Sequence, residues 1–196
     1  MCGRFFIGGE TAKEIEKTIH MLDAKRKMEQ YSKDIHPTDP APVISYYQDS
    51  LYATDKRWGF PGFDSGKVIF NARSESVLEK KMFRESVMKR RLIIPASGFY
   101  ECNRQKEKVT FTSAVIEQPV LYMAGFYNKY GNEDRFVILT TRANDSMADV
   151  HERMPLLLKY QDLEEWLRND RRLEEFLYSE PHGLKRQMEY EQQSLF

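Results

Sequence analysis

The feature that most constrains this chain is a series of short β-prone runs with little room for helices between them. Val43–Tyr47, Leu51–Thr54, Lys67–Phe70, Arg91–Ile94, Val109–Thr112, Val120–Tyr127, Phe136–Thr141 and Met154–Leu158 are rich in β-branched and aromatic residues. Parallel neighbours need long, usually helical crossovers, and the runs come mostly without them. The pattern predicts an α+β fold with a mostly antiparallel or mixed β core and peripheral helices. Thr11-x-x-Glu14 reads as a capping box, and Ile15, Ile19 and Leu22 follow at helical spacing, so a helix is expected over 11–30. Further helices are expected at Ser74–Phe83, Asn144–Val150 and from Asp162 through Tyr178. The segment His36-Pro37-Thr38-Asp39-Pro40-Ala41-Pro42 reads as an extended connector.

At 196 residues the chain fits one domain, 1–196, with 162–196 a mainly helical acidic extension packed on it. With 41% hydrophobic and 13% aromatic residues, it can bury a core without disulfide or metal staples. Cys2 and Cys102 make neither a disulfide framework nor a zinc knuckle, which points to a reducing, intracellular setting, cytoplasmic or nucleoid-associated. The longest apolar stretch, Val120–Tyr127, falls far short of the roughly 20 residues of a membrane span. The N-terminus lacks the layout of a signal peptide, so a soluble protein beginning near its encoded start is expected.

Thirty basic residues balance thirty acidic ones, which argues superficially against a polyanionic partner. The distribution argues the other way. Residues 56–91 hold ten basic and four acidic side chains, a surplus of six, whereas 162–196 hold five basic and nine acidic, a deficit of four. One face could therefore meet phosphates while the rest stays solvated, although Glu79-Lys80-Lys81 alone would equally suit a solvated helix face.

Cys2 is the most informative position. Removal of the initiator methionine before Cys2-Gly3 would leave an α-amine and a thiol on adjacent carbons. The amine, with an ordinary pKa of about 7.7–8.0, condenses with an aldehyde to an imine, and the thiol then closes a five-membered thiazolidine. That closure is intramolecular and strongly favoured. Asn71-Ala72-Arg73-Ser74-Glu75 ends a strand candidate and opens a helix whose N-terminus favours an anion. Glu101 closes the apolar run from Leu92, where desolvation suits a carboxylate to proton transfer. His151 is a candidate acid or base, and Arg153 a candidate phosphate clamp. Each has a structural alternative: a turn cap for Asn71, an ion pair for Glu101, a satisfied histidine for His151.

Eight motifs then stand in the order found in one family: Met1-Cys2-Gly3-Arg4-Phe5, Pro37–Pro42, Arg57-Trp58-Gly59, Asn71-Ala72-Arg73-Ser74-Glu75-Ser76, Arg91 through Glu101, Ala124-Gly125-Phe126, Leu139-Thr140-Thr141-x-Ala143-Asn144 and His151-x-Arg153-Met154-Pro155. From residue 2 to about residue 167 the chain resembles the SOS-response-associated peptidase (SRAP) family. The resemblance implies a barrel-like core and covalent capture of abasic sites in single-stranded DNA through a thiazolidine at Cys2, with autoproteolytic removal of residues preceding it. It also implies roles for particular residues. Asn71 would orient the terminal amine and the sugar. Glu101 would assist ring opening and shuttle protons. His151 would serve as acid or base in imine formation and crosslink reversal. Arg4, Arg73 and Arg153 would hold phosphates, while Trp58 and Met82 would pack against bases. Phe60-Pro61-Gly62-Phe63 stands where the family often carries a second tryptophan, which could shift stacking to Phe63. A zinc site joining Cys2, Cys102 and His151 is possible on ligand type alone, but such scattered single ligands argue against it, so no metal or cofactor is expected. A monomer is expected, with no membrane partner and with protein partners not legible. The competing readings are a non-covalent single-stranded DNA binding module and a thiol peptidase acting on other proteins.

Overall fold

The computed structural model describes residues 2–9, 11–13, 21–22, 33–64 and 66–188. The strands in chain order are β1 (Phe5–Ile7), β2 (Met21–Leu22), β3 (Lys33–Ile35), β4 (Pro40–Tyr47), β5 (Ser50–Trp58), β6 (Phe60–Pro61), β7 (Val68–Ile69), β8 (Asn71–Arg73), β9 (Arg91–Ala96) and β10 (Gly98–Cys102). They continue with β11 (Lys108–Ser113), β12 (Leu121–Tyr130), β13 (Glu133–Arg142), β14 (Arg153–Pro155), β15 (Leu157–Leu158) and β16 (Leu184–Met188). Among the described residues, which are helical at 11–13 as well, three short α-helices with both ends described accompany them: α1 (Lys81–Lys89), α2 (Leu163–Arg168) and α3 (Leu173–Leu177).

The expected mixed β core is present and closes on itself. Strands β13, β12, β9, β4 and β5 pair in succession, and β5 returns to β13 through parallel partners Arg57↔Arg135 and Phe136↔Trp58. At this seam Glu133 pairs with both Arg57 and Arg135, and Lys56 pairs with Asp134. The two hairpins of the barrel explain their own turns. Tyr130 and Glu133 flank Gly131-Asn132, and Gly131 takes φ 61 as a tight turn of this hand requires. Gln48 and Asp49 do the same work between Tyr47 and Ser50 without a glycine, at φ 47 and 58.

Strand β9 is buried at every position because both of its faces are covered, by the barrel interior on one side and by α2 on the other. Helix α1 buries Phe83, Ser86 and Val87, an i, i+3, i+4 stripe, against β12 and β9. A second, antiparallel sheet runs β16-β11-β10-β1-β3 and carries the chain's beginning. Gly98 allows it: a Cβ there would lie 2.4 Å from Phe111 O and 2.8 Å from the Phe6 ring.

Several helical expectations are corrected. Residues 11–13 are helical, but Met21–Leu22 pair in parallel with Tyr52–Ala53, so no helix runs through them; 14–20 and 23–30 lie outside the described residues. Ser74–Ser76 make only a 3-10 turn, without a side-chain cap, and the helix starts at Lys81. Asn144–Val150 form hydrogen-bonded turns rather than a helix, organised by Asn144 Oδ1, which accepts from Ser146 N and Oγ. The stretch from Asp162 breaks at Asn169, whose side chain accepts from Arg171 N and starts a new turn. Beyond it the described part of the acidic segment, up to residue 188, ends in β16, paired with β11, instead of continuing as helix. Among the described residues no helix is long and apolar enough to cross a membrane.

Candidate functional site

Cys2 lies just ahead of β1 and is 1% exposed. Its carbonyl accepts a hydrogen bond from Asn71 Nδ2 at 2.9 Å. Asn71 opens β8, which pairs in parallel with β13 at Ile138, so this bond ties the start of the chain to the barrel. The other amide atom, Asn71 Oδ1, is buried and has no hydrogen-bond partner among the described residues. Strand β10 runs antiparallel to β1, with Tyr100 N donating to Arg4 O at 2.9 Å, and carries Glu101 beside the Cys2 thiol. Burial pushes that thiol up to about 12, and the Glu101 charge adds to the shift.

A thiol so placed is protonated at neutral pH. Its folded value lies above the ordinary value of about 8.5, so its contribution to stability is complete below that pH and is lost as pH rises toward the folded value. Cys102, by contrast, is exposed. An alkylating reagent at about pH 8 is therefore expected to label Cys102 first. Cys2 should react far more slowly, or only after unfolding, because it is buried and its thiol is pushed up. Peptide mass mapping after timed alkylation checks this, and equal labelling of both would contradict it.

On the far side of β13, strand β14 brings Arg153 opposite Arg142. Arg153 N donates to His151 Nδ1 at 2.9 Å, and Arg153 O lies 3.2 Å from the same ring nitrogen. The Arg153 guanidinium grips Glu75 in a fork, Nη1 to Oε1 at 2.7 Å and Nη2 to Oε2 at 2.8 Å, and Nη2 also donates to Thr140 O at 2.6 Å. Arginine beside Glu75 holds that carboxyl below its ordinary range. Both outer nitrogens of Arg153 thus have protein partners, while the residue also lines a cleft with Arg73.

Two clefts flank Arg73. One, of about 660 Å³, starts at Asn71 and Arg73 and runs past Ser76, Lys80, Lys81 and Met82, with the 89% exposed Phe63 at its rim. The other, of about 390 Å³, joins Arg73 to Arg142, Glu152 and Arg153. Of the ten basic residues between 56 and 91, Lys56, Arg57, Lys67, Arg90 and Arg91 are ion-paired. Arg73, Lys80, Lys81, Arg84 and Lys89 have no ion pair among the described residues, and the first three line the larger cleft. The basic surplus therefore does concentrate at the site, at about half its apparent strength.

The structure thus joins Cys2 to Asn71 by a hydrogen bond, brings the Glu101 charge within electrostatic reach of the thiol, sets Arg73 and Met82 with Asn71 in one cleft, and links His151 to Arg153. Arg4 pairs with Asp34 and lies 4.8 Å from the centre of the Tyr100 ring. Trp58 does not belong to the site. Its indole is 0% exposed, packs on Phe5, Phe70 and Phe136, and donates to Phe70 O at 2.8 Å, so it has no face to offer a base. Sequence reasoning missed Glu75 and Asp34 as partners of the two arginines. Glu75 at least stood inside a quoted motif, whereas Asp34 carried no signal.

The chain is similar to several known proteins. A family model described as SOS response associated peptidase (SRAP) matches residues 1–192. Abasic site processing protein YoqW of Bacillus subtilis is 30% identical over 181 residues, covering 85% of this chain and 80% of that protein. Abasic site processing protein YoaM of the same organism is 34% identical over 123 residues, 57% of this chain and 54% of that protein. Abasic site processing protein YedK of Escherichia coli is 26% identical over 190 residues, 87% of this chain and 81% of that protein. A crystal structure of a protein from Bordetella bronchiseptica has the same fold, with a TM-score of 0.77 at 24% identity, covering 95% of this chain and 99% of that one.

Proposed function

Because this chain belongs to the SRAP family, we propose that it processes abasic sites in single-stranded DNA by covalent capture through Cys2, once whatever precedes that residue is removed. The observation that carries the reading is the convergence of Asn71 and Glu101 on one buried, thiol-bearing residue, with Asn71 also lining a cleft that holds Arg73, Lys80 and Lys81.

A ring-opened abasic deoxyribose presents an aldehyde. The Cys2 amine attacks it, water leaves, and an imine forms. The sulfur then bonds to the imine carbon while the thiol proton ends on the nitrogen, closing the thiazolidine. A thiol pushed up to about 12 needs help to give up that proton, and Glu101 is the carboxylate beside it. Asn71 Oδ1 is the acceptor left open for the freed amine or a sugar hydroxyl. His151, whose Nδ1 accepts from Arg153 N, supplies through its other ring nitrogen the donor that loss of water from the carbinolamine requires. The same carboxylate serves the autoproteolytic release of preceding residues. Arg73, Lys80 and Lys81 meet phosphates, and Met82 and Phe63 offer sequence-tolerant apolar contact to bases.

The test compares a single-stranded oligonucleotide carrying one abasic site with the intact strand. A detergent-resistant adduct is expected with the first and not the second. Equal affinity for both without covalent product would instead favour a non-covalent binding module.

A further inference from the structure

We propose that Glu75 is a positioning residue that sets His151 for proton transfer by locking Arg153. This deepens the proposed abasic-site chemistry and rests on it. Glu75 sits in the 3-10 turn that follows Asn71–Arg73 directly, on one side of β13, while His151 and Arg153 lie on the other side. One ion pair therefore joins the two halves of the site across the strand. Its geometry is over-determined. The carboxylate takes both outer nitrogens of Arg153, Arg142 N–H also donates to it, and Arg142 is the residue facing Arg153 across the β13–β14 pair. The guanidinium is held at its other edge by Thr140 O. A forked pair of this kind fixes direction as well as distance.

The lock reaches the imidazole through the main chain. The N–H of the residue whose side chain is gripped is the one that donates to His151 Nδ1. Held there, it fixes Nδ1 as the acceptor and leaves the proton on Nε2, facing away from Arg153. Loosening the guanidinium lets β14 and its N–H shift, and a proton-transfer group misplaced by about 1 Å loses on the order of a hundredfold in rate. Arg73, which is exposed, lines both clefts, and Arg153 meets it in the smaller one.

The test uses the full chain with nitrogen-labelled histidine, in Glu75→Gln and Arg153→Lys. The first removes the charge of the fork. The second keeps a cation, but its single head group cannot hold Glu75 in a fork and reach Thr140 at once. In the free wild-type protein at about pH 8, His151 Nδ1 should resonate as an unprotonated acceptor. In either variant that folds, the two tautomers should become comparably populated. Adduct formation with an abasic oligonucleotide should slow by about 10–100-fold, with affinity for the intact strand changed by less than about threefold. A wild-type tautomer retained in the variants overturns the inference, as does a loss of affinity that matches the loss of rate. If the wild-type protein forms no adduct at all, the functional reading fails, and the tautomer measurement on the free protein still decides the role of Glu75.

Discussion

Cys2→Ala is expected to abolish covalent capture of an abasic oligonucleotide while leaving affinity for the intact strand within about threefold. The substitution removes one sulfur from a site of 1% exposure and keeps the backbone carbonyl that accepts from Asn71 Nδ2. The anchoring of the N-terminal segment should survive, with a stability cost on the order of 1 kcal/mol for the small void left behind. The cationic cleft of Arg73, Lys80 and Lys81 is untouched. What disappears is the second bond. An alanine amine still condenses with an aldehyde, but the imine has no neighbouring thiol to close on it and hydrolyses. A denaturing gel run without reductant should show no adduct, and borohydride should recover one. A stable adduct in Cys2→Ala without reductant would place the nucleophile elsewhere.

Trp58→Ala is expected to destabilise the fold by about 3–5 kcal/mol, the usual cost of truncating a fully buried aromatic ring. Its ring centroid lies 5.1 Å from Phe5, 5.9 Å from Phe70 and 6.3 Å from Phe136, and its N–H satisfies Phe70 O. Trp58 is also the partner of Phe136 where the barrel closes. In a protein of this size each kcal/mol moves the melting temperature by about 2–4 °C, so a drop of roughly 6–20 °C should follow. Trp58→Phe should recover much of it. An unchanged melting curve together with a selective loss of DNA affinity would mean that the ring serves bases instead of the core.

The misplacement of Trp58 shows what the sequence could not convey. A tryptophan beside a glycine and a basic residue reads equally well as a stacking platform or a core residue, and only the neighbours decide. Those neighbours, Phe5, Phe70 and Phe136, come from three separate strands or strand ends. The long strands were legible because their apolar runs exceed anything a turn can hold; β12 and β13 each extend a few residues past their expected ends. Strands β1, β10 and β16 were not, being short or built on polar residues whose pairing is long-range. The same limit applies to charge. Lys56, Arg57 and Arg91 looked available in the basic segment, but Asp134, Glu133 and Asp170 neutralise them from far along the chain. The candidate residues themselves were legible through ordered motifs. Glu75 was passed over because its partner Arg153 stands 78 positions away.

The central claim is that Cys2, as the first residue of the mature chain, closes a thiazolidine on an abasic aldehyde. Intact mass of the full-length protein, before and after incubation with an abasic oligonucleotide, tests it most directly. The account predicts a free protein beginning at Cys2, and a product equal to that protein plus the oligonucleotide less one water. A protein that retains residues ahead of Cys2 and still forms the adduct, or one that begins at Cys2 and shows no mass shift, would contradict it.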